Sequence, residues 1–285
     1  MARFLKNLLK VALSLSIVGG AIWLVFNYTA LLDWYYLKDY KPTAQIESLA
    51  TQSTMTEEGR KYFYRADPQI NQDRQTLAQN CRIEDQETIE LGCYLSNNHI
   101  YLLEIKQPEL EQQMAVTAAH EMLHAVYDRL SVRERNELNA QLREAAANIN
   151  NPKLQERLKD YGQLEPGEED NELHSILGTE FGGLPPGLEA HYAKYISNRA
   201  QVVALSDQFN KTFDGLRAEI SDLDRQIQAT RARMEVLKQR NQIDAYNSLV
   251  PGINADITIY NSKVDLYNKY ASVLMGNDPL APATQ

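Results

Sequence analysis

Two histidines one helical turn apart, the first followed directly by a glutamate, constrain this chain more than any other stretch. They stand in Ala118-Ala119-His120-Glu121-Met122-Leu123-His124-Ala125-Val126-Tyr127-Asp128. On a helix, residues i and i+4 lie one above the other on the same face. His-Glu-x-x-His therefore aims two imidazoles at one point, the arrangement that binds zinc with the glutamate beside it as general base. From Ala115 to Tyr127 the only charged side chain is Glu121, which suits a buried helix around a metal. The plainer reading is a core helix with two satisfied histidines and an exposed glutamate.

The N-terminus is the second constraint. Lys10 is followed by an uncharged run from Val11 that ends only at Asp33, about the ~20 residues a membrane-spanning helix needs. Trp34, Tyr35 and Tyr36 stand at its far end, where aromatic rings favour the headgroup region. Arg3, Lys6 and Lys10 precede the run and acidic Asp33 follows it. The positive-inside rule then keeps the N-terminus in the cytoplasm and places the remainder outside. A cleaved signal peptide would have a shorter apolar core and a small-x-small site, so an uncleaved single-pass anchor is expected.

The cysteines agree with export. Cys81 and Cys93 both follow the expected span, and in an oxidising compartment they are expected to pair. The alternative is two buried thiols. The net charge of −9, with no dense basic run, argues against a nucleic-acid partner.

Along the chain, Pro42 to Ala50 and Thr56 to Tyr64 read as short helices, the second capped by Thr54 or Thr56. Thr88 to Leu91, Cys93 to Leu95 and His99 to Ile105 read as strand, with Ser96-Asn97-Asn98 as a turn. His99 is expected at the surface. Pro108 opens the helix that carries His120 and His124 to about Leu130. Ser131 caps a helix from Val132 to about Asn148. Another helix runs from Pro152 to Tyr161, and residues 163 to 170 form an acidic loop.

A strand followed by a His-Glu-x-x-His helix resembles the zincin metallopeptidases, in particular the gluzincins. The resemblance covers two short motifs and a strand–helix order within residues 88 to 181. It implies a peptide substrate that extends an edge strand over the helix, with His99 to Ile105 as the candidate strand. His120 to Asp128 also looks like the thermolysin-type helix. Asp128 is then a candidate to orient an imidazole, or else a solvated helix-end aspartate. The variant with a third histidine six residues after the second is excluded, because that position is Leu130.

Gluzincins take their third zinc ligand from a glutamate on a later helix. The segment Asn171-Glu172-Leu173-His174-Ser175-Ile176-Leu177-Gly178-Thr179-Glu180 offers Glu172 first, then Glu180, then His174. Glu172 is followed three residues later by small Ser175, as in the family's glutamate helix. The position four after it, often acidic in the family, is Ile176. His191, Tyr192 and Tyr195 lie downstream, where the family carries an oxyanion donor, but no role is assigned among them.

From Leu188 the chain reads as helical for some fifty residues. Phe213, Leu216, Ile220, Leu223, Ile227, Thr230, Met234 and Leu237 alternate spacings of three and four, the seam of a coiled coil. A second seam follows Pro251 and Gly252, from Ile253 to Leu274. An antiparallel hairpin joined near residues 240 to 252 is expected, with a parallel oligomeric coil as the rival.

The expected fold is α+β and mostly helical: a small sheet packed on the His-Glu-x-x-His helix, one transmembrane helix before it and an antiparallel coiled-coil hairpin after it. The expected organisation is an anchor at 1–36, a zincin-like domain at 37–200, the hairpin at 201–275 and a disordered tail at 276–285. The expected function is a membrane-anchored, extracytoplasmic zinc metalloendopeptidase with Glu121 as base, acting on a peptide or protein. The membrane is engaged through the N-terminal helix, and a protein partner or a second copy through the coiled coil. The alternative is a non-catalytic scaffold or adhesion protein whose metal site is structural or vestigial.

Overall fold

The computed structural model describes residues 2–81, 91–164 and 167–274. The start of the expected strand at 88–90 and the tail at 276–285 lie outside these residues. The chain divides into two compact units, Met1–Thr43 and Ala44–Gln285.

The first unit is helix α1, Ala2–Leu37. No proline interrupts it, and its stretch Leu13–Leu37 is long and apolar enough to cross a membrane. Leu15, Ile17, Val25 and Phe26 are all exposed, as expected for side chains that suit lipid. At its end Lys38 places its ammonium 4.6 Å from the Tyr35 ring centroid and 5.6 Å from that of Trp34, a cation–π contact.

The second unit is mostly helical. It opens with α2 (Ala44–Gln52) and α3 (Glu57–Arg65), followed by β1 (Gln69–Asn71) and α4 (Arg74–Cys81). Thr56 caps α3 by accepting from the Gly59 amide at 3.1 Å. Strands β2 (Gly92–Leu95) and β3 (His99–Leu103) form a hairpin. Its turn closes where the Asn98 amide donates to the Leu95 carbonyl at 2.8 Å. Asn98 has φ 70°, a left-handed conformation that asparagine tolerates better than most residues.

The sheet order is β1-β3-β2. Strand β3 pairs with β1 in parallel, Gln69 opposite Tyr101, and with β2 antiparallel, Cys93 opposite Tyr101. The expectation that His99 to Ile105 offers a free edge to substrate is therefore incorrect. The strand is central because Gln69-Ile70-Asn71, too short and polar to read as a strand, occupies its other side. Cys81 and Cys93 form a disulfide that fastens the end of α4 to β2.

Helix α5, Gln113–Asp128, runs beneath this sheet. It starts later than Pro108, because residues 108–112 form turns. Every residue from Met114 to Tyr127 is buried except His120. Strand β2 lies close on α5: a Cβ on Gly92 would fall 2.8 Å from Thr117 Cγ2. Farther along, Tyr94 Oη donates to Asp128 Oδ2 at 3.2 Å.

Helix α6, Val132–Asn148, opens on a capping box between Ser131 and Glu134. Helices α7 (Pro152–Leu164) and α8 (Glu169–Glu180) follow. Helix α8 packs against α5, α6 and α7. After the short α9, Pro186–Tyr192, the chain breaks at a bridge between Ile196 and Met55. It does not continue as one helix from Leu188.

Helix α10, Arg199–Gln239, begins there and packs against α5 and α8. Its first residue closes the core. The buried Arg199 guanidinium pairs with Glu189 and donates to the Leu177 carbonyl at 3.1 Å and to the Phe181 carbonyl at 2.5 Å. It thereby satisfies carbonyls that the end of α8 leaves open.

Helix α11, Ile243–Leu274, returns along α10. Phe213 meets Tyr267 and Tyr270, Arg217 donates to Tyr267 Oη at 2.8 Å, and Lys263 pairs with Glu219 at 2.6 Å. Ile227 and Met234 cluster farther out with Ile253 and Ile257. Numbers rise on one helix as they fall on the other, so the pair is antiparallel. The turn falls at residues 240–242, earlier than the proline suggests, with Pro251 inside α11. A proline there removes one backbone donor, while Val250 and Ile253 on either side still pack in the apolar cluster.

Candidate metal centre

Helix α5 delivers His120 and His124 to one face, and the first turn of α8 brings Glu172 against them. One donor atom from each lies within 4.8 Å of the others. His124 Nε2 is 3.3 Å from Glu172 Oε1, and His120 Nε2 is 3.6 Å from Glu172 Oε2. The cluster could hold a metal ion. All three side chains are largely enclosed, with 16% of His120, 12% of Glu172 and 9% of His124 exposed.

The donors fit a cation. Glu172 Oε2 is buried and accepts no hydrogen bond among the described residues, since 3.6 Å to His120 is too long for one. Two imidazole nitrogens and a carboxylate converge where a small ion can bridge them, and this mixed nitrogen and oxygen set is one that zinc accepts.

The electrostatics agree. Burial alone would raise the Glu172 carboxyl, but the imidazoles of His124 and His120, with the charge of Arg157 farther off, outweigh it and hold it down at about 2. Burial lowers His124 on balance, against the pull of Glu172. At His120 burial acts in the same sense but is outweighed by Glu172, Glu121 and Glu180, so this imidazole is raised. Glu121 lies one position along α5 from His120 and is itself buried.

Of the three candidates for the third donor, the structure brings in Glu172. Ser175, one turn further, is fully buried. Glu180 instead pairs with Arg157 of α7 at 2.7 Å. His174 points into the core, where its Nε2 lies 2.9 Å from His191 Nε2 and its ring stacks on Tyr192. Burial drives His174 well below the ordinary range and His191 down to about 4. Tyr192 is fully buried with its hydroxyl donating to the His174 carbonyl at 2.8 Å.

Asp128 does not reach an imidazole. It lies at the end of α5, bonded to Tyr94 and 3.6 Å from Arg135. The neighbour of His124 is Asn171, whose Oδ1 is 2.9 Å from His124 Nδ1. The resemblance to the thermolysin-type helix pointed to Asp128, whereas the partner of His124 sits on another helix, next to Glu172. Its only signal in the sequence is that adjacency.

Comparison with protein-family models, with curated proteins and with solved structures finds no match.

Proposed function

We propose that this protein is a membrane-anchored, extracytoplasmic zinc-dependent peptidase of the gluzincin kind. The observation that carries the reading is the convergence of His120, His124 and Glu172, with Glu121 buried on the same helix. A structural zinc site is closed by four protein ligands. Three donors that leave a fourth position free suit a catalytic site instead. A bound zinc ion supplies a Lewis acid for the peptide carbonyl and lowers the pKa of a coordinated water. Glu121 takes the proton of the attacking water and passes it to the departing amine. The peptide would extend β2, whose outer edge meets no other strand among the described residues and whose inner side rests on α5.

The location rests on α1 and on the disulfide, which suits an oxidising compartment. The antiparallel α10–α11 pair, read as a coiled coil, is a place for a partner or a second copy.

The test uses the full-length chain in detergent, with zinc stoichiometry and cleavage of an unfolded protein as readouts. Glu121→Gln should keep its zinc and lose about 10²–10⁴-fold in rate. Full cleavage by that variant, or a parent without bound metal, would sink the proposal. Stoichiometric zinc without any cleavage would favour the scaffold reading.

A further inference from the structure

We propose that the turn joining α10 to α11 docks on an anionic lipid bilayer. Val236 and Ile243 enter its headgroup region, and Arg233, Lys238 and Arg240 meet the lipid phosphates. The proposal goes beyond the peptidase reading and needs no metal.

The α10–α11 pair is built differently along its length. Phe213, Leu216 and Ile220 of α10 and Tyr267 of α11 belong to the main core. Farther out, Ile227, Met234, Ile253 and Ile257 form a separate cluster, to which only α10 and α11 contribute among the described residues. From Ile220 to Gln239 a helix rises about 28 Å. The outer part of the pair therefore carries its own small core as far as the turn at residues 240–242.

That turn shows apolar side chains to water. Outside α1, the described residues expose only four large apolar side chains, namely Val132, Val236, Ile243 and Ile259. Val236 stands in the last turn of α10 and Ile243 is the first residue of α11. They are 44% and 50% exposed.

The charge beside them is positive. From Arg231 to Asp244, four basic residues stand against two acidic ones, Glu235 and Asp244, in a chain whose net charge is −9. Arg233, Lys238 and Arg240 are exposed and join no ion pair among the described residues. Farther from the turn the cations are matched: Arg225 pairs with Asp222, and Lys263 with Glu219.

Shape decides between partners. A stable protein interface takes about 800 Å² from each side, more than a turn with two apolar residues offers. A bilayer needs no matching surface. Aliphatic side chains settle at the boundary of headgroups and acyl chains, and basic residues beside them are drawn to anionic lipid. Such a contact is weak alone, but a chain that α1 also anchors meets the bilayer at high effective concentration.

The test uses the full-length chain with Val236→Cys carrying a nitrobenzoxadiazole dye, whose emission reports water. Both native cysteines are tied in the disulfide and do not react. Exposed Ala229→Cys, about 16 Å short of the turn, carries the control dye. In phosphatidylcholine vesicles the dye at position 236 should stay in water. Reconstitution into phosphatidylglycerol vesicles, or their addition from outside, should shift its emission to the blue and let brominated acyl chains quench it. The dye at position 229 should not respond.

Ile243→Asp should abolish the shift. Replacing Arg233, Lys238 and Arg240 by glutamine should weaken vesicle binding about fivefold per charge. A dye at position 236 that stays in water on both lipids, or responds alike to both, would overturn the proposal. A triple glutamine variant that binds as the parent does would overturn it equally. If the dye at position 236 disturbs α10, exposed Gln242→Cys in the turn carries the same measurement with the same outcomes.

Discussion

Gly178 of α8 sits directly against Leu123 of α5. A Cβ built on the glycine would fall 2.4 Å from Leu123 Cδ1 and 2.8 Å from Tyr192 Cε1. Both neighbours are fully buried, so neither can swing into solvent. Glycine at this position sets how closely the Glu172 helix approaches the histidine helix.

Gly178→Val should therefore push α8 away from α5. Overpacking a core costs about 1–3 kcal/mol, and thermal unfolding should show a loss of that size. Zinc affinity should fall with it, since Glu172 moves with the helix. Gly178→Ala should lose less, because alanine regains about 1 kcal/mol of helix propensity.

Glu172→Gln and Glu180→Gln separate the ligand from its neighbour. The first removes a donor, and zinc titration should show a loss beyond the ~10–100-fold that removing an outer hydrogen-bond partner costs. The second breaks the ion pair with Arg157 and removes a distant charge that acts on His120, but leaves all three donors in place. Zinc affinity should then stay within a few-fold of the parent.

The His174–His191 pair makes stability depend on pH. Burial, reinforced by Lys194, holds His191 down at about 4, against 6.5 for an unperturbed imidazole. Between those values the unfolded chain binds a proton that the folded chain refuses, so the contribution of His191 to stability falls as pH drops from about 6.5 to about 4 and changes no further below that. His191→Gln should give a shallower slope in urea unfolding across that window. His174, lowered in the same sense, accounts for slope that remains.

Cys81 and Cys93 close a short loop, 12 residues apart in sequence. Replacing both by serine should lower unfolding stability by about 3 kcal/mol on the chain-entropy model. Proteolysis should then cut first near β2, which the bond holds to the end of α4.

What could be read in the sequence was local. His120 and His124 meet because the spacing of four is built into any helix, and Ser131 capped α6 for an equally local reason. Glu172 ranked first through the resemblance of its segment, with small Ser175 three residues on, and Ser175 is fully buried. What escaped was decided across the fold. Strand β3 became central through Gln69-Ile70-Asn71, three residues with no apolar alternation. Asp128 had the right interval from His124 but faces Tyr94 and Arg135, while Asn171 reaches the imidazole from a helix 47 positions away. Pro251 looked like a break, yet packing on α10 carries the helix through it.

The division of the donors between α5 and α8 has a thermodynamic consequence. An ion held by both helices binds the folded chain and has no such site in the unfolded one. Free ion at a hundredfold above its dissociation constant then adds about 2.7 kcal/mol to the unfolding free energy, and a chelator withdraws it. For any ion this cluster holds, the melting temperature becomes a gauge of the free metal around the protein.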